Sequence, residues 1–185
     1  MESLLSVSLG LGIAAACGFR IFVPFLVMNL AARAGYLALG DSFEWIASTP
    51  ALITLIVATT LEVGAYYLPW LDNLLDMVAT PAAVIAGVVA SAAVFTGMDP
   101  YLKWTLAAIA GGSVAGAVQV ATVGIRQASL LGTGGLGNPL VSTAEAAGSV
   151  VTAVLAILVP VFAAALIVVV LLFVRRSRTR VRQPA

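Results

Sequence analysis

The residues best placed to do chemistry are few, and each lies in or against an apolar run. Arg20 stands about sixteen residues into the first run, with Asn29 beyond it. Glu62 lies inside the second, four residues before Tyr66 and on the same helical face. Glu145 lies in the last, beside Ser142, Thr143 and Ser149. An ionisable side chain within a membrane span is costly and marks a functional site by default. A buried arginine must pair or reach water, and Glu62 and Glu145 are the candidate partners. Together they form either a static ion network or a binding cluster for a proton or substrate. Glu145 has a plainer alternative, a hydrogen bond between helices.

Two further groups extend the set. Asp72 and Asp76 are four apart on a short helix expected after Pro69. They suit a hard cation, or else face solvent in an outer loop. The stretch Gly132-Thr133-Gly134-Gly135-Leu136-Gly137-Asn138-Pro139 cannot continue a helix. Inside a membrane such backbone must be buried in protein or line a wet cavity. Gly135, Gly137 and Asn138 would then offer backbone and amide groups to a solute at the start of the next helix. The plain alternative is an exposed turn. No lysine follows the glycines, so this is not a Walker-type loop.

The elements that must position these residues follow from composition. Of 185 residues, 62% are hydrophobic and 9% charged. A soluble domain is about half apolar and about a quarter charged, so lipid is the expected solvent. One cysteine, Cys17, and no histidine exclude an internal disulfide, a Cys/His zinc site and a histidine base. No cofactor is implied. The net charge of +1, and basic residues not interleaved with aromatics, give no nucleic-acid surface. Glu2 is the only charge ahead of a long apolar run, so the N-terminus reads as a retained helix and not a signal peptide.

Five spans are expected, at about 4–32, 51–68, 81–95, 102–125 and 151–174, with broken or re-entrant half-helices near 69–80 and 126–150. The run 139–174 is too long for one crossing. It is split into a half-helix over 139–150 and a span kinked at Pro160. The fold class is all-α, a polytopic helical membrane protein, with 1–174 as one transmembrane domain. Arg175, Arg176, Arg178, Arg180 and Arg182 make 175–185 a basic tail on the cytoplasmic side. The N-terminus and the Asp72–Asp76 stretch are then outside, and the loops with Asp41, Glu44 and Asp99–Lys103 inside. Ala86-Gly87, Ala90, Ala93, Gly111-Gly112 and Gly116 form small-residue faces that favour a homo-oligomer, most simply a dimer.

Three motifs in this order resemble one family: Ala14 to Pro24 (AAACGFRIFVP), Leu61-Glu62 followed by Pro69 and Asp72-Asn73-Leu74-Leu75-Asp76, and Gly134 to Pro139 (GGLGNP). The chain is similar along nearly its whole length to small bacterial integral membrane proteins of domain of unknown function 4126. The resemblance implies a single helical domain in a bacterial inner membrane and brings no settled activity. The expected function is a transporter or channel for an ion or small polar solute. Its pathway would be lined by Arg20, Glu62, Asp72, Asp76, Gly135, Gly137, Asn138 and Glu145. The alternative is a non-transporting scaffold or assembly factor. A lipid-processing enzyme is weaker, because no nucleophile or metal motif is present.

Overall fold

A computed structural model describes residues 2–67, 69–159 and 169; for 2–4, 69–74 and 76 it describes the backbone only. The helices are α1 (Glu2–Phe19), α2 (Phe22–Arg33), α3 (Thr49–Ala65), α4 (Pro69–Val94), α5 (Pro100–Leu106), α6 (Gly112–Thr133) and α7 (Asn138–Leu158). A 3-10 turn, Asp41–Ala47, precedes α3, and a π turn, Ala107–Gly111, joins α5 to α6 without a break. The described chain is an all-α polytopic membrane protein. Three helical stretches, Met77–Val94, Pro100–Thr133 and Asn138–Leu158, are long and apolar enough to cross a bilayer, and the bent pair Asp41–Ala47 and Thr49–Ala65 makes up to four.

The first apolar run is not one span. Pro24 has no N–H to give to the carbonyl of Arg20, which favours a break within residues 20–24. The chain stops at Phe19 and restarts at Phe22. It also turns back. Ser91 Oγ donates to Gly10 O (3.0 Å), and Gly40 N–H donates to Ala93 O (2.9 Å). Residues 10 and 40 therefore meet the same end of α4. Lys103 and Trp104 lie against Phe43 at that end too, at 5.5 and 6.0 Å. The start of α1 thus shares an end of the bundle with the 41–47 turn and the 99–103 loop, which corrects the expectation that they lie on opposite sides.

Two expected breaks also move. Residues 69–80 are not a separate half-helix: they are the first turns of α4, which runs on through Pro81. Proline is tolerated inside membrane helices when neighbours satisfy the freed carbonyl. Residues 139–150 are not a half-helix either. The α7 helix runs 21 residues, about 32 Å, which is enough to cross. It stops at Leu158 because Val159 precedes Pro160 and leaves the helical region (φ −142°). The break in 126–150 is instead the tight turn 134–137, where Gly134 and Gly135 have φ of +62° and +88°. The kinked span proposed over 151–174 and the basic tail lie mostly outside the described residues.

Helix α1 is the centre of the bundle and packs on α4, α6 and α7. Its partners are mostly alanine: Ala86, Ala90, Ala93, Ala107, Ala115, Ala153 and Ala156 are all buried. The small-residue faces are used within the chain, since Gly87 packs on Gly111 and Ala115, and Gly18 on Ala115 and Val118. Helix α3 stands apart. It buries no residue and packs chiefly on α2.

Candidate functional site

The break at Arg20 is where the polar residues gather. Arg20 is 1% exposed, Arg126 2% and Glu145 5%. Arg20 Nη2 donates to Ser142 Oγ (2.7 Å) and Ser142 O (3.0 Å), and lies 3.1 Å from Glu145 Oε2. Arg126 Nη1 donates to the same oxygen at 2.5 Å. Two guanidinium groups, one from the break between α1 and α2 and one from α6, thus share one carboxylate oxygen. The Tyr66 ring lies against both, 3.9 Å from Arg20 Cζ and 4.6 Å from Arg126 Cζ, which adds a cation–π attraction.

Local sequence explains the positions. On α7, Asn138, Ser142, Glu145 and Ser149 recur at helical spacing and are all buried. On α6, Gln119, Thr122 and Arg126 do the same. The two polar stripes approach the C-terminal end of α1. Ser149 Oγ donates to Ala16 O (2.9 Å), serving one carbonyl near that end.

Glu62 is brought to the same break by α3, in a different role. Its two oxygens accept from Ile21 N–H (2.6 Å) and Phe22 N–H (3.0 Å). It therefore caps α2 from a neighbouring helix, and its charge complements the positive end of that helix. Tyr67 Oη shares a hydrogen bond with Thr143 Oγ1 (2.7 Å), so Glu62, Tyr66 and Tyr67 together latch the end of α3 to the bundle. An apolar cavity of about 420 Å³ opens beside this latch, with Glu62 and Tyr66 as its polar wall and Ile21, Phe22, Leu61 and Ala82 among its lining.

Glu62→Gln is expected to keep the shape but lose the charged acceptor. The loss should be about 1–2 kcal/mol. Hydrogen exchange read at the Ile21 and Phe22 amides checks it: faster exchange there is expected, and unchanged protection would exclude the cap.

The other expected site residues divide. Asn138 is buried at the start of α7, two turns from Glu145 on the same face. Gly135 and Gly137 sit in the turn and do not line the cluster. That turn's groups serve itself: Asn138 N–H donates to Gly135 O (3.1 Å) and Gly137 N–H to Thr133 Oγ1 (2.9 Å). The helix discontinuity at the cluster is Arg20–Ile21 and not the glycine stretch. Asp72 and Asp76 belong to the first turns of α4, and their side chains lie outside the described residues. Asn29 serves the opposite end, donating to Ile46 O and to Ser48 O (3.2 Å).

Arg126 does not stand out in the sequence, because the apolar run of α6 ends at Ile125 and the arginine reads as its flank. The signal was present in the Gln119–Thr122–Arg126 spacing, which continues the buried face one turn further.

No curated protein and no solved structure matches the chain. A family model matches residues 7–180, which takes in the Arg20 break, the Glu62 latch and the α6–α7 hairpin alike. With nearly its whole length matched, the chain belongs to the family described as Domain of unknown function (DUF4126).

Proposed function

We propose that the protein is a small membrane transporter or channel for an ion or small polar solute. The observation that carries this is the burial of Arg20 and Arg126 on one oxygen of Glu145, at a broken helix. Charges at such depth are expensive and usually serve transport, and discontinuous helices supply solute sites in transporters. The pathway comprises Arg20, Glu62, Tyr66, Arg126, Ser142 and Glu145, with Asn138 above. Helix α3 is the gate, since a latch of three side chains holds its end and release of that latch joins the 420 Å³ cavity to the cluster.

We place the protein in a bacterial inner membrane with its arginine tail in the cytoplasm, following the positive-inside rule. Assembly as a homodimer would use a face other than the small-residue ones, such as the exposed Ile53, Val57 and Leu61 of α3.

Reconstituted protein tested against potassium, nitrate, acetate and glycerol is expected to carry at least one of them above empty vesicles. That flux should fall when cysteines placed at Tyr67 and Thr143 are joined by a bifunctional thiol crosslinker that spans the length of the tyrosine ring and holds the latch shut. Absence of any flux, with wild-type folding intact, sinks the transport reading in favour of a scaffold. The scaffold reading has one observation of its own: the described hydrogen bonds of Glu62 go to backbone N–H groups.

A further inference from the structure

We infer that the solute is a small monovalent oxyanion, and that Glu145 is the protein's own occupant of its seat. This rests on the transport reading and names its substrate class. Two guanidinium groups converge on one carboxylate oxygen, Glu145 Oε2, at 3.1 and 2.5 Å. The seat therefore already holds an oxyanion, one tethered to α7.

Two donor nitrogens of Arg20 point the same way. Among the described residues, Arg20 Nε and Nη1 have no hydrogen-bond partner, although Arg20 is 1% exposed. Gln119 Nε2, two helical turns before Arg126 on the same buried face of α6, has none either and would serve an anion on its way and not in the seat. All three are donors. Buried donors without acceptors are costly, and an incoming oxyanion supplies acceptors. A cation would meet two arginines instead, which a low-dielectric interior penalises heavily. A monoanion adds less negative charge beside the tethered Glu145 carboxylate than a divalent anion would, which favours acetate, formate or nitrate. Arginine forks suit flat oxyanions with two acceptor oxygens. The entry side is the cavity behind Tyr66, whose ring covers both guanidinium groups.

The mechanism is an exchange. The anion enters past Tyr66 and takes the Arg20 and Arg126 donors, while Glu145 swings off Oε2 contact. Ser142, bonded to Arg20 through Oγ and O, keeps that guanidinium in place meanwhile.

The test uses full-length protein, with gluconate as the bulky reference anion. In wild type, nitrate or acetate should raise thermal stability over gluconate at equal ionic strength. Glu145→Gln should lower stability in gluconate and regain it in nitrate. Removing a competing occupant raises apparent affinity by the inverse of the fraction of time the seat stands free, so a seat free about a tenth of the time gains about tenfold. Nitrate flux into proteoliposomes should rise in Glu145→Gln and in Glu145→Asp, whose shorter arm cannot reach both guanidinium groups. Should Glu145→Gln not fold, Glu145→Asp and the wild-type anion dependence decide. A drop in flux with no anion rescue overturns the inference and makes the cluster a static ion network. Potassium or glycerol flux without anion flux overturns it but leaves transport standing. Anion stabilisation without any flux keeps the seat and removes transport. Neither effect removes both.

Discussion

Glu145→Leu is expected to cost about 3–5 kcal/mol of stability, because it leaves two buried guanidinium groups without their shared carboxylate. Arg126→Met should cost less. Glu145 then keeps Arg20, and the remaining pair is balanced. The decisive variant changes all three positions, Arg20→Met, Arg126→Met and Glu145→Leu. A buried ion triad replaced by apolar residues of similar volume is often neutral or stabilising. The triple variant should therefore recover most of what Glu145→Leu loses. Flux in proteoliposomes should be absent from it all the same. Unfolding in mild detergent, followed by helix content, measures the first quantity. Recovered stability with lost flux separates what the cluster does from what holds the bundle together. Should the triple variant be no more stable than Glu145→Leu, the three charges would not act as one unit, and the anion seat built on them would fall with them.

The legible part of this molecule was the part set by solvent. Composition alone required apolar helices, and the polar exceptions Arg20, Glu62 and Glu145 were visible because each interrupts an apolar run. Their convergence was not written in spacing. It depends on α1 ending at Arg20, and that ending comes from a proline four residues on. In sequence Pro24 looks like one more feature of a long apolar run, yet it removes an N–H that Arg20 O needs in a continuous helix. With the break unseen, α1 and α2 merge into one crossing.

The glycine stretch shows the opposite error. Four glycines announce a turn, but sequence does not say whether that turn lies at the site or above it. Helical rise answers the question once the charges are placed. Arg126 is seven residues from the end of α6 and Glu145 seven from the start of α7, so the turn stands about 10 Å beyond the cluster. Arg126 itself was hidden by a composition rule. A window that stops at the first charge cannot see a charge turned inward, whereas a helical face followed past the end of the apolar run does see it.

Gly87→Leu is the packing change with the largest expected effect. A Cβ at Gly87 would meet Ala115 Cβ directly and stand 2.8 Å from Gly111 O. A Cβ at Gly111 would stand 2.8 Å from Gly87 O and 2.9 Å from Ser91 Cβ. Here α4 and α6 touch backbone to backbone, and close approach of this kind is the main source of helix association where lipid is as apolar as leucine. Backbone cannot yield as a side-chain tip can. Overpacking costs typically about 1–3 kcal/mol, and this site belongs at or above the upper end. The damage should travel. Moving α6 off α4 also moves Arg126, so anion-dependent stabilisation should vanish along with the bulk stability. Gly124 on the same helix is the control, because nothing lies within 4 Å of its added Cβ. Gly124→Ala should stabilise by up to about 1 kcal/mol through helix propensity alone. Two glycines thirty-seven residues apart in sequence, on packed helices, should thus respond with opposite signs. Equal and small effects at both would mean that α4 and α6 do not cross at Gly87 and Gly111, and that Arg126 is aimed by something other than this contact.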